Sequence, residues 1–125
     1  EVVAGAAPGP DRLAATRSLA ADTGAVVLLK GSTTVVAAPD GRVLLSAAGG
    51  PRLATAGTGD VLSGVIGAFL AAGLDPLWAA ALGAQTHGLA ASRGLPHGLL
   101  AGDLPELVAA VLSELLAGER AEPNP

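Results

Sequence analysis

The spacing of apolar and polar residues predicts one helix, then three strands, then three further helices. Asp11 is placed to cap a helix from Arg12 to about Asp22, because a side-chain oxygen at that position accepts from a free backbone N–H. Gly24 fits the end of this helix, where a left-handed residue is common. Apolar residues at helical spacing, with Gly, Asp or Pro at the ends, predict later helices over about residues 59–72, 76–92 and 104–117.

Three apolar runs of strand length lie between the first and second helices. Ala25–Leu29 is uninterrupted, which is typical of a strand covered on both faces in a parallel sheet flanked by helices. Thr34–Ala38 and Arg42–Ser46 are separated by the turn sequence Pro39–Gly41 and predict a hairpin. This order of elements predicts an α/β fold that has the form of the C-terminal part of a doubly wound sheet protein.

Composition narrows the possible classes of protein. The chain has 125 residues, half of them hydrophobic, a net charge of −4 and no cysteine. These values argue against disorder, give no support for binding to nucleic acid or an anionic membrane, and exclude disulfides and thiolate metal sites. Neither a signal peptide nor an uninterrupted membrane span is visible, so a cytoplasmic location is expected.

The start of the chain also affects the expected domain organisation. The sequence contains no Met and begins at Glu1, so we expect a fragment or a processed piece of a longer protein. Residues 1–118 are expected to form the C-terminal part of a domain, and residues 119–125 a flexible tail.

The segment Gly57-Thr58-Gly59-Asp60 predicts an anion site at the start of a helix. The first N–H groups of a helix have no intrahelical partner, and the helix dipole adds positive charge there. Gly57 and Gly59 lack the Cβ atoms that would keep an anion at a distance. Asp60 is either a capping residue or a general base beside the anion; the residues leave both open, and the glycine-rich loop before it favours the base.

A second candidate segment follows the first strand. Lys30 offers a positive charge, Gly31 allows close backbone approach, and Ser32, Thr33 and Thr34 offer hydroxyl donors. Ligand groups usually lie at the carboxyl ends of such strands. The alternative is a polar turn with a solvated lysine, and for this segment taken alone the alternative is the better interpretation.

Isolated polar residues elsewhere are weaker candidates. His87 lies in an alanine-rich helix and is interpreted as a hydrogen-bonded packing residue, while His97 is expected to be solvated. Two distant histidines without cysteine are weak evidence for a metal site. Arg52 and Arg93 could meet a phosphate, but surface charge is the preferred interpretation.

Together these motifs resemble a known family, the ADP- or ATP-dependent NAD(P)H-hydrate dehydratases. The segments that resemble it, in order, are Lys30-Gly31-x-x-Thr34, Pro39-Asp40-Gly41, Ala54-Thr55-Ala56-Gly57-Thr58-Gly59-Asp60-Val61-Leu62-Ser63-Gly64 and His87-Gly88-x-Ala90. The resemblance extends from Asp11 to Leu116. It implies a ribokinase-like three-layer fold, present here as its C-terminal portion, and a lyase that repairs hydrated NADH and NADPH.

The resemblance also implies roles for individual residues. Lys30, Gly31, Ser32, Thr33 and Thr34 would contact the phosphate and ribose region of an adenine nucleotide, ADP or ATP. Gly57, Thr58 and Gly59 would also bind the nucleotide, with Gly59 against its AMP portion. Asp60 would reach the hydrated nicotinamide and act in proton transfer. Mg²⁺ is expected with the nucleotide, although no dedicated metal ligands are visible, and a homo-oligomer or association with the missing N-terminal half is expected.

Two other functions remain open from the sequence. The first is a ribokinase-like kinase for a hydroxymethylpyrimidine or hydroxyethylthiazole, in which Asp60 would act as base for attack on the γ-phosphate. The second is an inactive remnant that retains nucleotide affinity. The Asp60–Gly64 continuation and the Lys30–Thr34 turn favour the lyase over the kinase.

Overall fold

The computed structural model describes residues 11–48, 57–94 and 98–121, which form four α-helices and a three-stranded sheet. The predicted order of elements is confirmed. In chain order they are α1 Arg12–Thr23, β1 Val27–Leu29, β2 Thr34–Ala37, β3 Val43–Ser46, α2 Thr58–Ala71, α3 Pro76–Arg93, a 3₁₀ turn Ala101–Asp103 and α4 Leu104–Ala121.

The ends of α1 follow from local hydrogen bonds. Asp11 Oδ1 accepts from the backbone N–H of Ala14 at 2.9 Å, which confirms the predicted cap. Gly24 has φ 69°, and its N–H donates to the carbonyl of Ala20 at 3.0 Å, which closes the helix in the left-handed conformation. Both ends are therefore set by residues that the sequence pattern identified.

The start of α4 is likewise set by an acidic side chain. Asp103 Oδ2 accepts from the N–H of Leu100 at 2.8 Å and so stabilises the short 3₁₀ turn from which α4 continues. The helix then runs to Ala121, beyond the predicted end near Ala117. The domain limit at residue 118 and the flexible tail stay predictions, and residues 122–125 lie outside the described residues.

The sheet has the order β1-β2-β3, and both pairs of neighbours are antiparallel. The β2–β3 pair confirms the predicted hairpin, with Gly41 at φ 96° in its turn. β1 differs from the expectation of a strand covered on both faces in a parallel sheet, because it pairs antiparallel with β2 and its residues are half-buried. The short Lys30–Thr33 connection explains this pairing, since a parallel neighbour would need a long crossover.

The two faces of the sheet are covered by different helices. On one face, Val36 and Ala38 form a cluster with Leu77 and Ala80 of α3. α1 contacts β1 and β2, and its Ala20 is fully buried. The sheet thus lies between α1 and α3, and α2 and α4 pack on α3, with Ile66 of α2 also reaching the cluster on the sheet.

α3 is also the centre of the helical half of the fold. A second buried cluster joins it to α4 and includes Ala90, Leu104 and Val111. Trp78, near the start of α3, is 49% exposed and belongs to neither cluster. None of the described helices combines the length and the apolarity needed to cross a membrane.

Candidate functional site

The N-terminus of α2 has no side-chain cap. Gly57 is the capping residue, with φ 87°, and a Cβ added there would lie 3.1 Å from the Cβ of Ala101. A residue with a side chain would be strained in this conformation. The helix starts at Thr58, one position earlier than predicted, so Thr58, Gly59 and Asp60 form its first turn. The N–H groups of this turn have no intrahelical acceptor, which makes the end of the helix suitable for an anion.

Asp60 is exposed in the first turn of α2 and does not cap it. The helix has no side-chain capping bond, and the Asp60 carboxylate forms no hydrogen bond or ion pair with another described residue. The geometry therefore gives no support to the capping alternative. The carboxylate lies at the positive end of the helix dipole, which favours a negative charge there, and no side chain of the described residues is paired with it.

Lys30 brings the second candidate segment to the same place. Its Nζ atom lies 3.8 Å from the position that a Cβ on Gly59 would occupy. Two segments that are far apart in the sequence thus meet, and they place an ammonium group beside the positive end of a helix dipole. Two positive groups this close repel each other unless an anion lies between or beside them, so the arrangement fits a phosphate.

The hydroxyl residues of the second segment have varied exposure. Ser32 is exposed, and Thr33 and Thr34 are half-buried. Their hydroxyl groups form no hydrogen bond with another described residue, although the carbonyl of Thr33 accepts one. The structure leaves these hydroxyls available to a ligand and does not test whether they bind one.

His87 is buried next to these residues. It is 1% exposed, in agreement with the prediction of a packing residue. Burial and the nearby Lys30 charge lower its pKa, while a hydrogen bond to the backbone of Thr58 acts in the opposite direction. Its Nε2 atom has no hydrogen-bond partner among the described residues. No pattern of residues predicted that His87 would lie beside Lys30 and Thr58; its position in the His87-Gly88 motif was the one signal that singled it out.

Arg12 was missed by the sequence analysis altogether. Its guanidinium donates to the carbonyl of Thr33 at 2.8 Å, of Lys30 at 3.0 Å and of Leu29 at 3.2 Å. Arg12 therefore lies against the inner side of the turn that follows β1. An arginine in the first turn of a helix resembles any surface charge in a sequence, and this one contacts residues that are 17 to 21 positions away.

The other candidates are distant or undescribed. Arg93 pairs with Glu114 at the surface, as the surface interpretation predicts. Arg52, His97 and the motif residues Ala54-Thr55-Ala56 lie outside the described residues. In the described ranges no three His, Asp or Glu side chains are grouped in a way that could hold a metal ion.

Comparison with known proteins agrees with the resemblance. The family model described as NAD(P)H-hydrate dehydratase matches residues 2–113. An ADP-dependent (S)-NAD(P)H-hydrate dehydratase from Neisseria meningitidis is 48% identical over 99 residues, which are 75% of this chain and 33% of that protein. A bifunctional NAD(P)H-hydrate repair enzyme from Mycobacterium tuberculosis is 60% identical over 79 residues, 63% of this chain and 17% of that protein.

A solved structure matches the fold as well. The ADP/ATP-dependent NAD(P)H-hydrate dehydratase from Bacillus subtilis, co-crystallised with ATP and Mg²⁺, superposes with a TM-score of 0.77 at 33% identity. The match covers 83% of this chain and 39% of that one. The chain therefore has the fold of that protein but spans well under half its length, and only 33% and 17% of the two sequence relatives.

Proposed function

This chain belongs to the NAD(P)H-hydrate dehydratase family, and we propose that it supplies the nucleotide-binding wall of a site at which ADP or ATP drives the dehydration of hydrated NADH or NADPH. One observation supports this most directly: Lys30 Nζ approaches Gly59 at the positive end of α2. The two segments predicted to bind one nucleotide meet there. The relatives named above act on the same class of substrate.

The phosphates of the nucleotide would be bound by charge and backbone together. The first-turn N–H groups of α2 would donate to phosphate oxygens, and the Lys30 ammonium would neutralise part of their charge. Gly59 would allow the nucleotide to approach the backbone closely, because no side chain covers its N–H. The hydroxyls of Ser32, Thr33 and Thr34 would complete the contacts to the phosphate and ribose region.

Asp60 would act in proton transfer. The terminal phosphoryl group moves to the hydroxyl oxygen of the hydrated ring, and Asp60 accepts the proton of that hydroxyl. The C–O bond then breaks and inorganic phosphate leaves with the oxygen. A proton leaves the adjacent ring carbon, and the electrons of that C–H bond restore the double bond of the reduced nicotinamide. An exposed carboxylate that is not engaged in capping suits this role.

Mg²⁺ would not have a resident site formed by the described residues, since no cluster of ligating side chains is present among them. We propose that it enters with the nucleotide, held mainly by phosphate oxygens and water, as is usual for this ion. None of the steps above depends on a contact between Mg²⁺ and a side chain of this chain.

We also propose where the reaction takes place and how the chain assembles. We place it in the cytoplasm and expect the chain to act as a homo-oligomer or together with the N-terminal half of the family domain. In the second case, the N-terminal half would supply the rest of the substrate site.

The proposal is tested with hydrated NADPH and ADP or ATP, by following recovery of the absorbance of reduced nicotinamide. The wild-type chain is compared with Asp60→Asn, alone and mixed with the N-terminal half of a relative. Asp60→Asn should abolish recovery but leave ADP affinity, measured by calorimetry, within about threefold, because the amide keeps the size of the side chain and loses its basicity.

Three outcomes decide between the functions. Failure of the folded wild-type chain to bind either nucleotide refutes the proposal. Nucleotide consumption with an alcohol substrate, and none with the hydrate, would establish the kinase instead. Nucleotide binding without turnover, both by the chain alone and by the chain mixed with the N-terminal half of a relative, would identify an inactive remnant.

A further inference from the structure

Arg12 occupies the concave side of the turn between β1 and β2. One nitrogen, Nη1, donates to the carbonyl of Thr33, and the other, Nη2, donates to the carbonyls of Leu29 and Lys30. A single planar group thus holds carbonyls from both ends of the turn. Arginine can do this because its donors form a rigid fork, whereas a lysine offers one compact ammonium.

Gly31 is required by this contact. A Cβ on Gly31 would lie 2.4 Å from Arg12 Nη2 and 2.8 Å from Cζ. The guanidinium therefore fills the space that a side chain at position 31 would need. The contact with Arg12 therefore explains why position 31 is a glycine without reference to any ligand.

The contact also fixes the direction of the backbone donors. In a trans peptide the C=O and the N–H point to opposite sides. Since the carbonyl of Lys30 points at Arg12, the N–H of Gly31 points away from it. Arg12 forms no ion pair with a described carboxylate, so its described partners are the carbonyls of the turn.

We propose that Arg12 is a positioning residue that holds the Lys30–Thr33 turn in the shape that binds nucleotide phosphate, without touching the nucleotide itself. This inference rests on the proposed function for the identity of the ligand. Arg12 supplies geometry to the turn, and not charge alone.

The test compares Arg12→Lys, which keeps the charge and loses the fork, with the wild-type chain. ADP affinity is measured by calorimetry, and amide hydrogen exchange of residues 30–34 is measured without nucleotide. Arg12→Lys should raise the Kd for ADP by about tenfold, the range expected when hydrogen bonds to a charged group are lost, and should speed exchange within the turn. Arg17→Lys, an exposed change on the same helix, should alter neither.

A double-mutant cycle separates this role from a general loss of stability. Gly31→Ala should displace the guanidinium and weaken ADP binding to a similar degree. If both changes act through the same contact, the double variant should be no weaker than either single variant. Additive losses, or unchanged affinity and exchange in Arg12→Lys, would overturn the inference while leaving the proposed function intact. If the wild-type chain binds no ADP, the proposed function and this inference both fail.

Discussion

Replacement of Gly88 by Ala should destabilise the protein even though alanine is the better helix former. Gly88 lies inside α3, and a Cβ there would be 2.4 Å from the carbonyl oxygen of Ala48. Ordinary contact begins at 3.4 Å, so the backbone of Ala48 must move by about 1 Å. Overpacking of this kind costs about 1–3 kcal/mol, against a gain in helix propensity of about 1 kcal/mol. Because the obstructing atom belongs to the backbone, a net loss of about 1–2 kcal/mol is expected.

Two other helical glycines provide matched controls. Gly64 in α2 is exposed and has no described atom within 4 Å of its added Cβ, so Gly64→Ala should raise stability by about 0.5–1 kcal/mol. Gly83→Ala should have an effect on stability between those of the other two variants. Its Cβ would lie 2.5 Å from Cγ1 of Ile66, and a side-chain atom can rotate away where a backbone atom cannot.

The assay is urea unfolding followed by far-ultraviolet circular dichroism, with the three variants and the wild type at one protein concentration. Gly64→Ala should have the highest urea midpoint and Gly88→Ala the lowest, with the wild type and Gly83→Ala between them. The m-values should not change. If Gly88→Ala is as stable as Gly64→Ala, the close approach of α3 to Ala48 is refuted.

Three further predictions concern single side chains. Burial and the nearby Lys30 lower the pKa of His87 in the folded protein, so below its usual value of about 6.5 the unfolded chain binds the proton more readily than the folded one. The free energy of unfolding should therefore fall on acidification below about pH 6.5. His87→Gln should make this pH dependence weaker in urea midpoints measured from about pH 8 to 5. Asp11→Ala should cost about 1 kcal/mol by loss of the cap on α1, and Asp11→Asn should restore most of it in the same assay; equal losses would contradict a capping role. Arg93→Ala should leave the thermal midpoint within error, because its pair with Glu114 is exposed; a clear drop would show that the pair matters.

Local signals accounted for most of what the sequence could predict. Asp11 and Gly24 set the ends of α1 through contacts with residues three or four positions away. Pro76 begins α3 because its fixed φ suits the first turn of a helix, so all three effects can be predicted from a short stretch of sequence. The pairing of β1 was less accessible, because a continuous apolar run does not specify a parallel or an antiparallel neighbour. The short turn at Lys30–Thr33 was the better guide to that pairing.

The candidate site was predictable in parts but not as an assembly. Gly57–Asp60 and Lys30–Thr34 were each identified by residue type, yet their meeting through Lys30 and Gly59 depends on how α2 packs. His87 was interpreted as a packing residue and Arg12 was assigned no role, since neither lies near the two candidate segments in the sequence. Long-range contacts of this kind leave no periodic pattern.

The position of Trp78 has a practical consequence for spectroscopy. It is the one tryptophan of a chain that has no tyrosine, so intrinsic fluorescence excited at long wavelength comes from this side chain alone. Nine positions separate it from His87 along α3, about 14 Å at the rise of an α-helix, and half its surface is already in solvent. Its emission should respond weakly both to unfolding and to nucleotide, and a tryptophan introduced closer to Lys30 would be the more useful reporter.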